Sequence, residues 1–201
     1  LCFPTVELNA VAGKAGKIMM GPNRFRVDKL NDSEQDSLFV ARIDMHDLAV
    51  VIVTVCRKSL LRAVNSVFQQ DFSGRIQVLI GVDQDLSGKS GQWQKQLQKA
   101  CPPNCSLLWL DPEYSTSKRH GGIHRCFYGG SLRTVLSFLA DSPLVMYLDD
   151  DDWLAPEHCH LTVQALQGRT WAFSRCIYSD GNKSQGLCVD LLESVGPEKG
   201  V

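Results

Sequence analysis

Two apolar, β-branched segments separated by one helical segment constrain the fold more than any other feature of the chain. Residues 48–55 form a continuous run of this kind and residues 76–82 form a second one, as is typical of strands buried on both faces of a sheet. Between them apolar residues recur at helical spacing: Leu60, Leu61, Val64, Val67 and Phe68. The succession predicts a βαβ unit with parallel strands and a right-handed crossover.

The alternation of strands and helices continues along the chain. Ser59 is predicted as the N-cap of the first helix, and Pro156 as the first residue of a later one. The other predicted elements are a helix over 92–100, a strand over 106–110, a long loop over 111–127, a helix over 132–139, and strands over 144–148 and 171–178. This order predicts an α/β sandwich around a mostly parallel central sheet.

Composition and charge exclude several classes of partner. The net charge is -1 and the pI is about 6.6, so no global positive field recruits nucleic acid or an anionic membrane. The longest apolar run, residues 48–56, is far shorter than the roughly 20 residues that a helix needs to cross a bilayer. Asp44, His46 and Asp47 precede that run, unlike a signal peptide. We therefore expect a cytoplasmic protein with no transmembrane segment, either soluble or peripherally associated with a membrane.

The eight cysteines favour buried free thiols in a reducing compartment over a disulfide framework, because the chain is rich in core residues. Zinc is a weaker alternative. Its candidate ligands lie in three groups: Cys101 and Cys105; His120, His124 and Cys126; and His158, Cys159 and His160. The groups are dispersed and no second cysteine pair completes a finger pattern. His120 and His124 are also candidates for the border of a ligand site.

The strongest chemical motif is a run of four aspartates, residues 149–152, directly after the predicted strand 144–148. Carboxylates clustered at the carboxyl edge of a sheet repel one another unless a cation lies there. Mg²⁺ and Mn²⁺ prefer oxygen ligands and keep positions for phosphate, and ligands of open α/β sheets bind outside the carboxyl ends of the strands. The motif predicts a metal–diphosphate site. An exposed acidic turn that caps the next helix is the alternative.

Five segments in the right order resemble the family-2-type glycosyltransferases of GT-A fold. They are the first strand and its turn, Val50 to Arg57; the end of the first helix, Asn65 to Gln70; the second strand, Gln77 to Asp83; the pair Arg133 and Thr134; and the D-x-D region, Leu148 to Pro156. Val53 and Cys56 depart from the family's usual Pro and Asn. The resemblance spans residues 48–178 and implies a Rossmann-like GT-A α/β/α sandwich.

The resemblance also implies roles for particular residues. Asp149 and Asp151 match the two ends of the D-x-D motif, which binds ribose and a divalent metal. The metal, Mn²⁺ or Mg²⁺, would be held first by Asp151, with Asp149 and Asp152 as further ligands, and would neutralise the diphosphate of a UDP-like leaving group. The residues implied to bind the nucleotide-sugar donor are Thr54, Arg57, Asp83, Arg133 and Asp149.

The resemblance implies a metal-dependent glycosyltransferase that moves a sugar from a nucleotide-diphosphate donor, a UDP-sugar first, to a glycan or lipid-linked acceptor, as in polysaccharide or cell-envelope synthesis. The family's inverting members use an acidic general base downstream of the D-x-D loop, often in a Glu–Asp pair. Here no such pair follows, and the candidates are Asp180, in an apparent hairpin turn, Asp190 and Glu193. No catalytic base is assigned.

Three domain segments follow from these patterns: residues 1–46, an arm of unknown role with a short helix at 33–43; residues 47–180, the nucleotide-sugar-binding domain; and residues 181–201, the start of an acceptor region or a truncated tail. The missing base leaves open a catalytically incomplete module that binds nucleotide-sugar or a protein partner. A sugar-nucleotide pyrophosphorylase is disfavoured, because no Gly-rich phosphate loop bearing Lys or Arg follows the first strand.

Overall fold

The computed structural model of the chain describes residues 2–5, 45–115, 117–123, 125, 129–179 and 186–189. Its strands are β1 (Cys2–Thr5), β2 (Leu48–Thr54), β3 (Ile76–Val82), β4 (Cys105–Leu110), β5 (Val145–Asp149), β6 (Arg175–Ser179) and β7 (Gly186–Val189). Its helices are α1 (Ser59–Phe68), α2 (Ser90–Ala100), α3 (Gly130–Leu139) and α4 (His158–Ala165), with a 3₁₀ turn at Lys118–His120. The predicted helix at 33–43 lies outside the described residues.

The central sheet has four parallel strands in the order β4-β3-β2-β5. β2 and β3 pair along their whole length, from Leu48 opposite Ile76 to Thr54 opposite Val82. After β2 the chain adds β3 and β4 on one side, and then returns to place β5 on the other side of β2. The predicted βαβ unit is therefore confirmed, and the strand order reverses its direction between β2 and β5.

Helices cover both faces of this sheet. On one face Val50 and Ile52 of β2 pack in a cluster with residues of α1, α2 and α4, among them Leu60, Leu97 and Cys159. On the other face, Ala49, Val51 and Leu79 pack against Leu136 of α3. The alternation of faces along β2 follows from the two-residue repeat of a strand, and because both faces are covered the strand consists of apolar residues throughout. The predicted fold class, an α/β/α sandwich with a parallel sheet, is confirmed and is consistent with a Rossmann-like GT-A fold.

A second, antiparallel sheet joins three distant parts of the chain in the order β1-β6-β7. β1 pairs with β6 through Thr5 opposite Arg175, and β6 pairs with β7 with a bulge between Tyr178 and Ser179. One strand from each of the three predicted domain segments thus contributes to this sheet. None of the described helices is long and apolar enough to cross a membrane.

Several element boundaries differ from the prediction. Ser59 is the first residue of α1, because the backbone of Lys58 before it is already helical. Lys58 holds the N-cap position without a side-chain cap, since an ammonium group has no acceptor. Pro156 lies two residues before α4: its carbonyl accepts a hydrogen bond from the Asp71 amide, 2.7 Å, which ties it to the end of α1.

The other two differences concern strand and loop limits. The last predicted strand begins at Arg175 rather than residue 171, because pairing with β1 starts there. The predicted loop 111–127 contains the 3₁₀ turn.

Candidate functional site

The carboxyl ends of β3, β2 and β5 meet at one edge of the central sheet and bring three predicted residues together. Thr54 ends β2, Asp149 ends β5 beside it, and Asp83 follows β3. The Asp83 amide donates to the Thr54 carbonyl, 2.8 Å, so the end of β3 is fixed to the end of β2. This edge includes the point between β2 and β5 where the strand order reverses, which is where open α/β sheets bind ligands.

The four aspartates do not share one environment. Asp149 and Asp151 are exposed, Asp150 is 6% exposed, and Asp152 is intermediate. The alternation continues the two-residue repeat of β5, in which Leu148 is buried. The Asp152 amide donates to the Asp149 carbonyl, 3.1 Å, and turns the chain away from the strand. Asp149 and Asp151 are therefore presented to solvent at the sheet edge while Asp150 faces inward.

Asp150 is the centre of a hydrogen-bonded group that the sequence analysis did not single out. The Thr54 hydroxyl donates to it, 2.6 Å, and also accepts from the Cys56 amide, 2.9 Å. Burial raises the pKa of Asp150, as does the neighbouring Asp151, whereas the bond from Thr54 and the charge of Arg57 act to lower it. Thr54, 2% exposed, thus holds the acidic loop against the end of β2. The strand repeat was the signal that could have indicated an inward-facing Asp150.

Two arginines pair with the acidic loop. Arg57 Nη1 lies 3.3 Å from an oxygen of Asp150 and 2.9 Å from an oxygen of Asp151. Arg133, on α3, donates to Asp149. The structure therefore brings Arg57, Arg133 and three of the aspartates into one charged cluster.

A cavity of about 820 Å³ opens above this cluster, within the ordinary size range of small-molecule sites. Among the predicted residues, Thr54, Arg57, Asp83, Arg133, Asp149 and Asp151 line it, and Asp152 does not. Sequence reasoning missed several other lining residues: Lys58, Leu86, Lys89, Trp93 and Arg119. They come from helix starts and loops that carry no motif. The cavity combines apolar surface with cations and carboxylates, a lining suited to a ligand with both a ring system and a charged group.

Gly129 lies in the wall of this cavity, where a residue with a side chain does not fit. Its φ of 66° lies in the left-handed region, and a Cβ there would overlap the side chain of Val53. Gly129 directly precedes α3, the helix that carries Arg133. The close approach of this turn to β2 thus fixes the position from which Arg133 reaches Asp149.

Cys56 lies in the same wall but cannot act as a thiolate at neutral pH. It is 1% exposed, and burial, reinforced by the charge of Asp85, raises its pKa to about 12. A protonated thiol is neither a nucleophile nor a metal ligand. Six cysteines are free: Cys56, Cys101, Cys105, Cys159, Cys176 and Cys188.

The acidic loop, residues 149–152, fits Mg²⁺ or Mn²⁺ better than zinc. Among the described residues, no three or more Cys, His, Asp or Glu side chains converge as a set that could hold a metal ion, so they form neither a tetrahedral zinc site nor a three-aspartate site. His120 lines the 820 Å³ cavity, while His124 and Cys126 fall outside the described residues. Mg²⁺ and Mn²⁺ need only one or two carboxylates, with phosphate oxygens and water completing the shell. The exposed oxygens of Asp149 and Asp151 at the cavity suit that second arrangement.

No protein-family model matches the chain, and no curated protein matches it. Two solved structures of S. aureus TarS are similar to it. One has a TM-score of 0.49 and 18% identity, covering 61% of this chain and 20% of that chain. The other, of TarS 1-349, has a TM-score of 0.48 and 18% identity, covering 61% of this chain and 32% of that chain. The chain therefore spans at most a third of either, and similarity at this level assigns no activity to it.

Proposed function

We propose that the chain carries the donor site of a glycosyltransferase, with a nucleoside-diphosphate sugar bound in the 820 Å³ cavity. The observation that carries the proposal is the convergence of Asp149, Asp151 and two arginines at the point where the strand order reverses. Parallel α/β sheets bind nucleotides at such points, and paired arginines and carboxylates are the groups that a diphosphate with a divalent cation requires.

The ligand's parts match the distribution of side chains around the cavity. Arg57 and Arg133 supply charge-assisted hydrogen bonds to phosphate oxygens. Leu86 and Trp93 supply apolar surface for a base. Asp83, 4% exposed and in the lining, supplies an acceptor for base or ribose. We propose a UDP-sugar as the donor, because the segments that line this cavity are the ones that resemble the family's nucleotide-binding motifs.

Asp151 and Asp149 would hold Mn²⁺ or Mg²⁺ together with the diphosphate. Asp152, the further ligand that the resemblance implies, does not line the cavity and is not needed for such a shell. When bound, the cation neutralises the negative charge that develops on the leaving diphosphate. Arg57 has half-exposed side-chain atoms, 53%, so it is free to move from Asp151 to phosphate. Arg133 and Arg57 then orient the diphosphate, and the buried Asp150 keeps the loop against β2.

The rest of the proposed reaction follows from the class. The acceptor is a glycan or a lipid-linked sugar, and the setting is polysaccharide or cell-envelope synthesis in the cytoplasm, free or at a membrane surface. The predicted base candidates Asp180, Asp190 and Glu193 lie outside the described residues. No residue is proposed as the base.

Calorimetric titration of UDP tests the donor site. We expect binding in the presence of Mn²⁺ that EDTA abolishes, and we expect Asp151→Asn to weaken the Mn²⁺-dependent binding more than about tenfold. The fold should persist in this variant, because Asp151 is exposed and its ion pair with Arg57 is a surface pair.

Asp71→Asn is the matched control, since Asp71 is exposed and does not line the cavity. It should bind UDP like the wild type. If Asp151→Asn also binds like the wild type, the assignment of the acidic loop is wrong. Metal-dependent UDP binding without turnover of any UDP-sugar would instead identify a catalytically incomplete module of the same fold.

A further inference from the structure

A second cavity of about 530 Å³ lies on the other side of the start of α1, between that helix and the chain that follows the acidic loop. Among the residues that the structure describes, its charged lining residues are Lys58 and Arg62, and none of the lining residues carries a carboxylate. Its apolar lining residues are Leu61, Trp153, Leu154 and Pro156. These four residues form the apolar floor of the cavity. In a chain whose net charge is -1, the two cations beside this floor concentrate positive charge.

The wall of the second cavity is held in place by hydrogen bonds that join α1 and the residues just after it to residues 153–159, which we call the post-acidic segment. Ser66 Oγ accepts from the Leu154 amide, 3.0 Å. Gln70 donates to the Ala155 carbonyl, 2.7 Å, and accepts from the Cys159 amide, 2.8 Å. These contacts fix Trp153 relative to α1, so the cavity is built rather than a chance gap between loops.

Arg62 lines this cavity and has no anionic partner in the described part of the chain. Its guanidinium carbon lies over the Trp153 ring, 3.0 Å from the centroid, a cation–π contact that places the charge beside the indole. Its Nη2 is buried and has no hydrogen-bond partner among the described residues. Burial accordingly lowers the pKa of Arg62, although an arginine keeps its charge in proteins. The buried Nη2 is closed to solvent, so a ligand would meet Arg62 through the atoms that line the cavity. An anion there would offset the cost of the partly desolvated charge.

We propose that the second cavity binds an organic anion, a phosphate or carboxylate group carried on an apolar or carbohydrate body. Arg62 and Lys58 hold the charged group, and the apolar floor beside Trp153 receives the body. Lys58 lines both cavities, and Trp153 follows the acidic loop directly, so the anion lies beside the donor site. Its assignment to the acceptor substrate rests on the proposed function; the anion site itself does not.

Indole signals in proton–nitrogen correlation spectra separate the two cavities, because Trp93 lines the first and Trp153 the second. The chain has four tryptophans, and Trp153→Phe and Trp93→Phe assign the two signals. Inorganic phosphate and acetate are titrated separately at constant ionic strength. We expect at least one of them to shift the Trp153 signal saturably, and which one does so distinguishes phosphate from carboxylate recognition.

Arg62→Gln should weaken this anion binding by roughly tenfold, the effect of removing a charged hydrogen-bond donor. Arg169→Gln is the matched control, because Arg169 is exposed and lines neither cavity; it should bind like the wild type. If Arg62→Gln does not fold, Lys58→Gln serves instead, since Lys58 is exposed, and it should weaken binding severalfold.

The anion site is refuted if neither phosphate nor acetate shifts the Trp153 signal, or if the folded variant at position 62 or 58 binds as tightly as the wild type. A Trp153 shift that the variant weakens, in a protein that does not bind UDP, would support the anion site while the proposed donor function failed.

Discussion

The two cavities on either side of the start of α1 differ in whether their arginines are paired with carboxylates. In the first, Arg57 and Arg133 already pair with carboxylates of the acidic loop. In the second, Arg62 has no carboxylate partner among the described residues. A ligand of the first cavity must therefore replace existing ion pairs, which a diphosphate that arrives with a divalent cation can do. A ligand of the second cavity displaces no such ion pair, so a simple anion can pair directly with Arg62.

The largest expected effect comes from a substitution in the wall of the first cavity that leaves the second cavity unchanged. Gly129→Ala should lower the free energy of unfolding by about 2–4 kcal/mol, because left-handed backbone costs a side-chain-bearing residue about 1–2 kcal/mol and the added methyl overlaps Val53. Urea denaturation measures the loss. UDP binding should weaken with it, while anion binding at Trp153 should not change.

Gly168→Ala is the matched control, because Gly168 has a φ of 73° but open space around its Cβ position. It should lose only the backbone part, about 1–2 kcal/mol. Equal losses in the two variants would show that a Cβ at position 129 does not clash with Val53, contrary to the described packing.

A smaller effect tests the charge balance of the first cavity. Burial raises the pKa of Asp150 above its ordinary value of 3.8, so the folded protein keeps a proton that the unfolded chain has lost. Asp150 then stabilises the fold most at low pH, and this contribution disappears as the pH rises from about 3.8 through the raised pKa. Urea denaturation at several pH values should show wild type gaining stability relative to Asp150→Asn as the pH falls toward 4.

Asp85 gives the opposite sign and serves as the comparison. Burial acts to raise its pKa, but hydrogen bonds from the amides of Ser90 and Ser87 outweigh burial and leave the pKa lowered. Its stabilisation is present above the ordinary value of 3.8 and is lost as the pH falls through the lowered pKa. Wild type should therefore lose stability relative to Asp85→Asn on acidification. Curves of the same sign for both variants would contradict the described environments.

Much of the fold could be predicted from sequence because a strand that is buried on both faces appears in the sequence as a continuous apolar run. The run from Leu48 to Thr54 is apolar on both faces because helices cover both, and the intervening helix shows its repeat. The boundaries that went wrong depend on long-range contacts. Pro156 does not begin α4 because its carbonyl bonds to Asp71, and the end of a distant helix leaves no trace in the local pattern.

The candidate site was predicted only where chemistry leaves a motif. The run of aspartates indicated the loop, and the structure places Asp149 and Asp151 at the cavity. The inward-facing Asp150 and its partner Arg57, 93 residues apart in sequence, depend on which strands become neighbours. The second cavity had no sequence signal, because Arg62 and Trp153 meet only through the packing of α1 against the post-acidic segment.

The most direct test of the donor site is to follow the indole signals of Trp93 and Trp153 while UDP is added with Mg²⁺. A nucleotide in the first cavity should shift the Trp93 signal saturably, leave the Trp153 signal in place, and lose its effect when EDTA removes the metal. A shift of Trp153 alone, or no shift of Trp93 at saturating UDP and Mg²⁺, would contradict the account that the acidic loop and its cavity form a nucleoside-diphosphate site.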